Sequence, residues 1–203
     1  MTARFIALEG VDGSGKSTQA RMLAEALRGR GVPCLLTREP GGTPLGEGLR
    51  ALLLDGGVPR IGPVAEAYLF AAARAALVEE VVRPGLERGE WVVTDRFVDS
   101  SLAYQGAAGG LGLDEVWALN AQAVAGCLPD LALVIDVPVD VAAGRRCAGP
   151  DRIEAQGPAF QREVADGYLA LAARFPERVA LVPGTGTVDE VHDAVMERLA
   201  AWL

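Results

Sequence analysis

Glu9-Gly-Val-Asp-Gly-Ser-Gly-Lys-Ser-Thr18 decides how the rest of the chain is read. The apolar run Phe5-Ile-Ala-Leu8 feeds into it, and a stretch with helical spacing follows. Within it, Gly10-x-x-x-x-Gly15-Lys16-Ser17 has the spacing of a phosphate-binding loop set between a strand and a helix. Such a loop curls backbone N–H groups around a polyphosphate. Side chains must be absent where it turns most tightly, which accounts for Gly10, Gly13 and Gly15. The first N–H groups and positive dipole end of the next helix then face the anion. Lys16 adds a mobile positive charge for the outer phosphates, and the Ser17 hydroxyl is placed for Mg²⁺. Val11, Asp12, Ser14 and Thr18 complete the expected loop. A chance match in a glycine-rich chain is the alternative, and the strand–loop–helix context weighs against it. So does the fact that Lys16 is the only lysine among the 19 lysines and arginines. It stands where a compact ammonium on a flexible stem is required.

Outward from the loop, short apolar runs alternate with longer helical patterns. Strands are expected at Phe5–Leu8, Cys34–Thr37, Trp91–Thr94, Leu131–Ile135 and Val179–Val182. Apolar almost throughout, they read as buried on both faces of a parallel sheet. Helices are expected over Lys16–Arg28, Pro44–Leu54, Val64–Val82, Asp114–Cys127, Ala159–Ala173 and Val188–Leu203. Pro84 is the expected stop of the third. The alternation implies an α/β sandwich, a five-stranded parallel sheet flanked by helices, with ligands at the carboxyl ends of the strands. The residues just after each strand therefore matter most.

Composition bounds the rest. At 203 residues the chain suits one domain spanning 1–203. A net charge of −8 argues against nucleic-acid or anionic-membrane partners, so any anion site must be made by local focusing. Cys34, Cys127 and Cys147 are odd in number and lack metal-ligand spacing, and read as free thiols in a reducing compartment. No signal peptide or membrane-spanning stretch is expected, so a cytoplasmic protein is the default.

Several polar groups sit where chemistry would be done. Asp95-Arg96 ends the third strand: the carboxylate can orient metal-bound water and the arginine can hold a phosphate. A structural ion pair would look the same in isolation; the phosphate loop favours function. Asp136 ends the fourth strand and reads as the cap of the following helix. Phe70 and Arg74 share a helix face, but spacing alone favours a core phenylalanine with a surface arginine. Arg50 fits a solvated face or a phosphate ligand equally. Arg145-Arg146 and Arg152 lie in a short basic loop that is either a lid over the transferring group or a solvated turn. His192, the only histidine, reads as a surface or interface residue, so no histidine general base is expected.

Taken together, Glu9–Thr18, Thr37-Arg-Glu-Pro-Gly-Gly-Thr43, Phe70-Ala-Ala-Ala-Arg74, Asp95-Arg96, Ser100-Ser-Leu-Ala-Tyr-Gln-Gly106 and Asp151-Arg-Ile-Glu154 resemble bacterial thymidylate kinases, of the P-loop nucleoside monophosphate kinase family. The resemblance runs in order over most of the chain. It implies transfer of the γ-phosphoryl group of ATP to dTMP with Mg²⁺, in a homodimer. By position it implies that Phe70 stacks on thymine, Arg74 hydrogen-bonds the base, and Ser101 and Gln105 line the base pocket. It puts Arg38, Arg50 and Arg96 on the 5′-phosphate and Asp12 and Glu39 near the sugar, beside the metal roles already read for Ser17 and Asp95. Gly13 stands where eukaryotic relatives carry an arginine, so a short lid, about residues 145–155, would supply that charge from Arg145, Arg146 or Arg152. Phe97 departs from the tyrosine or histidine often found there.

Other phosphate-loop proteins fit less well. A regulatory GTPase needs an Asn/Thr-Lys-x-Asp element, which a chain whose only lysine is Lys16 cannot have. A remodelling ATPase usually ends a strand in Asp-Glu, which Asp95-Arg96 and Asp136-Val137 do not supply. A kinase for another nucleoside monophosphate, and a nucleotide-dependent binding protein without transfer, remain the alternatives.

Overall fold

The computed structural model describes residues 2–54, 60–145 and 151–203. Its five strands, β1 (Phe5–Glu9), β2 (Cys34–Arg38), β3 (Trp91–Asp95), β4 (Leu131–Asp136) and β5 (Val179–Pro183), form one sheet in the order β2-β3-β1-β4-β5. Every pairing is parallel, with Leu8 beside Asp95 on one side and beside Leu133 on the other. Each strand runs one residue past its apolar stretch, so that Glu9, Arg38, Asp95 and Asp136 are strand ends rather than loop residues. In a parallel ladder the hydrogen bonds outlast the hydrophobic pattern, and the last residue is held by its neighbours whatever its polarity. Glu9, Arg38 and Asp95 thereby become neighbours at the carboxyl end of the sheet. Central β1 is buried throughout, while edge strands β2 and β5 are only partly covered.

Helices α1 (Lys16–Gly29), α2 (Pro44–Leu54), α3 (Pro63–Leu77), α4 (Arg83–Glu87), α5 (Val98–Ser101), α6 (Leu113–Val124), α7 (Val139–Gly144), α8 (Pro158–Arg174) and α9 (Val188–Leu199) flank the sheet among the described residues. α1 buries Ala20, Leu23, Ala24 and Leu27 along one stripe. Each such leucine contributes about 2 kcal/mol by leaving water. Phe97 seats its ring edge-on against Phe5, centroids 4.9 Å apart, joining the strand ends to the core.

Four expectations need correction. The last helix, α9, ends at Leu199 rather than running on to Leu203. The third expected helix does not stop at Pro84. Val78–Val82 widens into a π-helical turn, with the Arg83 N–H reaching the Val78 carbonyl, and α4 resumes beyond it. Pro84, the second residue of α4, follows directly on that widened turn. α6 ends at Val124 rather than Cys127, because Ala125 (φ 47°) and Gly126 (φ 76°) both take the left-handed conformation. Asp136 does not cap α7: the helix starts three residues later, at Val139 behind Pro138, with no side-chain cap, and Asp136 is exposed. A second π-helical turn, Leu102–Ala108, continues α5 and packs on α8.

Candidate active site

The phosphate loop leads from buried β1 into α1 through Gly10, whose missing Cβ would meet the Ser14 hydroxyl at 2.8 Å and the Ile135 carbonyl at 2.9 Å. Gly13 (φ 86°) and Gly15 (φ 97°) take left-handed turns that a side chain would strain. Behind Gly15, α1 begins with no side-chain cap and no acidic residue in its first turn. α3, α6, α7 and α8 also start without a side-chain cap, whereas α9 carries a complete capping box, Thr187 and Glu190 each satisfying the other's backbone N–H. The open start of α1 therefore presents N–H groups to an anion.

Lys16 folds back over the loop, its Nζ 3.3 Å from the Val11 carbonyl and 3.6 Å from Asp12 Oδ1. Burial, reinforced by nearby Arg96, pushes its ammonium pKa down. The Ser17 hydroxyl donates to Asp95 Oδ2, across the gap between α1 and β3. Asp95 Oδ1 is buried with no hydrogen-bond partner among the described residues. One hydroxyl and one carboxylate oxygen facing a phosphate loop suit Mg²⁺, which keeps most of its waters and takes phosphate oxygens. Among the described residues no cluster of three or more His, Cys, Asp or Glu offers an all-protein metal cage.

Arg96 sits at the centre, in a left-handed conformation (φ 72°) unusual for a bulky side chain. Its Nη1 donates to the Gly10 carbonyl at 3.1 Å and Ser100 Oγ at 3.0 Å, and its Nη2 to Asp12 and to Tyr104 Oη at 3.1 Å. Burial would raise the Asp12 carboxyl pKa, but Arg96 and then Lys16 hold it well below the usual range. Behind Arg96, the Ser100 and Tyr168 hydroxyls donate to Glu9 Oε2 at 2.6 and 3.0 Å, which turns their lone pairs toward the guanidinium. Glu9 is wholly buried, and burial with Asp99 nearby pushes its carboxyl up to about 7.

At the far end, Arg74 is only 1% exposed, which reverses the surface placement its spacing favoured. Its Nε and Nη2 donate to Glu39 Oε2 at 2.9 and 2.6 Å, and Nη2 also donates to the Phe97 carbonyl at 3.1 Å. Its Nη1 donates to Ser101 Oγ at 3.1 Å and to Asn120 Oδ1. All five guanidinium protons are thus taken by protein acceptors. Burial raises the Glu39 carboxyl to about 7 despite the ion pair, and Glu39 Oε1 has no hydrogen-bond partner among the described residues. Phe70, one turn before Arg74, is half-buried and lines the cavity.

One cavity of about 890 Å³ joins these parts, lined at one end by Gly13, Lys16 and Ser17 and at the other by Phe70, Arg74 and Gln105. Asp12, Arg38, Glu39, Arg50, Asp95, Arg96 and Ser101 line it between. Arg38 donates twice to Glu47, at 3.1 and 3.0 Å, and Arg50 donates to the Pro40 carbonyl at 3.0 Å. Gly10, Val11, Ser14, Gly15 and Thr18 shape the loop from behind without lining that cavity.

The two described lid arginines, Arg145 and Arg152, lie apart from each other. Arg145 donates to the Gly184 carbonyl beyond β5 at 2.9 Å, and Arg146 lies outside the described residues. Arg152 is drawn to the acceptor end, donating to Glu66 Oε2 at 2.6 Å and to the Leu53 carbonyl at 2.7 Å. A buried carboxylate at Glu66 is a stronger attraction than an open loop. Glu9, Glu66, Tyr104, Asn120, Gln161 and Tyr168 join the site without having been singled out for it. Glu9 and Glu66 carried a readable signal, each being a lone acid inside an apolar run.

A sequence model of the thymidylate kinase family matches residues 8–195. The chain is 48% identical to a thymidylate kinase of Rhizorhabdus wittichii over 98% of each chain. It is 44% identical to one of Caldanaerobacter subterraneus subsp. tengcongensis, covering 100% of this chain and 98% of that one. The crystal structure of thymidylate kinase from Ehrlichia chaffeensis superposes with a TM-score of 0.82 at 33% identity, over 98% of this chain and 99% of that one.

Proposed function

The chain belongs to the thymidylate kinase family, and from that premise we propose that it transfers the γ-phosphoryl group of ATP to dTMP, with Mg²⁺, giving dTDP and ADP. The observation that carries this reading is the single cavity running from the phosphate loop to the Phe70–Arg74–Gln105 pocket, with Arg96 between them. ATP phosphates lie on the loop N–H groups and Lys16, and Ser17 with Asp95 takes Mg²⁺, which neutralises the phosphate oxygens when bound. Arg96, Arg38 and Arg50 hold the 5′-phosphate of dTMP, Arg38 exchanging Glu47 for it. Asp12 and the unpartnered Glu39 Oε1 face the sugar. Charge on the transferring group is assigned on the lid side to Arg145, Arg146 or Arg152, of which Arg152 is engaged at the acceptor end. Residues 1–203 act as one kinase domain, in the cytoplasm; among the described residues no helix is long and apolar enough to cross a membrane.

Phe70 gives the base a flat face but no selectivity. Because Arg74 has no proton to spare, the edge contact falls to Ser101, whose oxygen accepts from Arg74 and so leaves its own proton to donate. Thymine and uracil offer a carbonyl oxygen at position 4 and cytosine an amino group. The expected order of kcat/KM is dTMP, dUMP, dCMP, with dCMP down roughly tenfold or more for its unpaired polar groups. ADP release measured across a panel of monophosphates tests the reading; a purine or dCMP as best acceptor refutes it.

A homodimer is part of the proposal. Val64, Tyr68 and Ala72 are exposed along one stripe of α3, and Leu52 of α2 and Trp117 of α6 stand out on the helices that pack beside it. Light scattering at micromolar concentration should give twice the 21.2 kDa chain mass, and Tyr68→Glu should give the chain mass. A wild-type monomer would dismiss the dimer.

A further inference from the structure

We propose that Glu66 is a positioning residue for base selection: gripped by Arg152 from the lid segment, it holds the Gln105 carboxamide so that its carbonyl oxygen selects a pyrimidine carrying an imide N–H. The inference rests on the acceptor pocket assigned above and adds two residues that do not touch the base themselves. Glu66, Phe70 and Arg74 lie at successive fourth positions of α3, so one helix face carries the anchor, the stacking ring and the buried guanidinium. Glu66 is 9% exposed and Gln105 5%.

Both oxygens of Glu66 are engaged. Oε1 accepts from Gln105 Nε2 at 2.9 Å and Oε2 from Arg152 Nη2 at 2.6 Å. Arg152 is itself fixed, since its Nε donates to the Leu53 carbonyl at the end of α2. Asp151 Oδ1, accepting from the Ile153 and Glu154 N–H groups at 2.8 and 2.9 Å, shapes the turn that carries it. A carboxylate only accepts, so Gln105 must turn its NH₂ toward Glu66. The opposite end of the amide, Oε1, takes no side-chain hydrogen bond from the described residues, and Gln105 lines the cavity.

An unconstrained glutamine can turn over and offer either a donor or an acceptor, and so cannot tell thymine from cytosine. With its NH₂ held by Glu66 it offers an acceptor only. Thymine and uracil present N3–H to that oxygen; cytosine presents a bare N3 lone pair, and two acceptors face each other. The effect has the same sign as the Ser101 contact but arises at a different base atom and depends on a residue outside the pocket.

Glu66→Gln tests it, because the new amide can donate or accept and so releases the orientation of Gln105. The variant should still phosphorylate dTMP, while the dTMP-to-dCMP ratio of kcat/KM falls about tenfold. A purely structural role would lower both values together and leave the ratio alone; a folded Glu66→Gln protein with the wild-type ratio overturns the proposal. Arg152→Ala decides the matter if Glu66→Gln does not fold, since Arg152 is the more exposed partner. It should lower the same ratio several-fold. A uniform fall in kcat for every acceptor with the ratio unchanged would place Arg152 on the phosphates and overturn the relay. If the wild-type protein fails to phosphorylate dTMP at all, the kinase reading fails; if it does so selectively and both variants keep the ratio, only the role of Glu66 fails.

Discussion

Lys16→Ala should lower kcat by about 10³-fold or more while leaving the melting temperature nearly unchanged. The size follows from the chemistry: phosphoryl transfer rests on positioning and charge, and a single cationic contact to the transferring group is worth about 10³–10⁵ in rate. The unchanged fold follows from the structure. Lys16 contributes a carbonyl contact and a loose ion pair with Asp12, but Asp12 is also held by Arg96 and Tyr104. Removing the ammonium therefore leaves no buried carboxylate without a partner, which is the usual source of large losses in stability. Burial also disfavours the lysine's own charge, so its removal relieves a desolvation cost. Coupled ADP release gives the rate and circular dichroism the melt. A folded variant that keeps roughly a tenth of wild-type turnover would exclude Lys16 from the transferring phosphate.

Arg96→Lys should cost about 10²–10³ in kcat/KM for dTMP although the charge is kept. The guanidinium reaches Gly10 and Ser100 with one nitrogen and Asp12 and Tyr104 with the other, a fork no ammonium can span. Without that fork, Asp12 turns toward Lys16 and neutralises the charge meant for ATP, so both phosphate sites suffer from one change. Calorimetry separates this from a general loss of fit. Affinity for dTMP should drop while that for thymidine, which has no phosphate, holds. Equal losses for both ligands would show that Arg96 shapes the pocket rather than binding the phosphate.

The sheet was legible because parallel strands buried on both faces are written as uninterrupted apolar runs, as in Phe5–Leu8 and Trp91–Thr94. The phosphate loop was legible because backbone approach to an anion leaves glycines at fixed spacing. The far end of the site was not. Arg74 looks like a surface residue at helical spacing, and its burial depends on Glu39, 35 positions earlier, and Asn120, 46 later. The two π-helical turns were also hidden, since widening a helix by one residue leaves its apolar pattern nearly intact. The turn at Leu102–Ala108 carries Tyr104 to Arg96 and Gln105 to Glu66.

The uncapped start of α1 has a thermodynamic meaning. A helix without an N-cap forgoes about 1 kcal/mol, and α1 starts without one, as do α3, α6, α7 and α8; what sets α1 apart is that it continues directly from the glycine-rich loop at the cavity. A polyanion on those N–H groups acts as the missing cap, so occupancy and resistance to unfolding become one linked quantity. A ligand at 100 times its Kd adds about 2.7 kcal/mol. A nucleotide bound there should therefore raise the melting temperature as well as serve the reaction, which melts with and without ATP check.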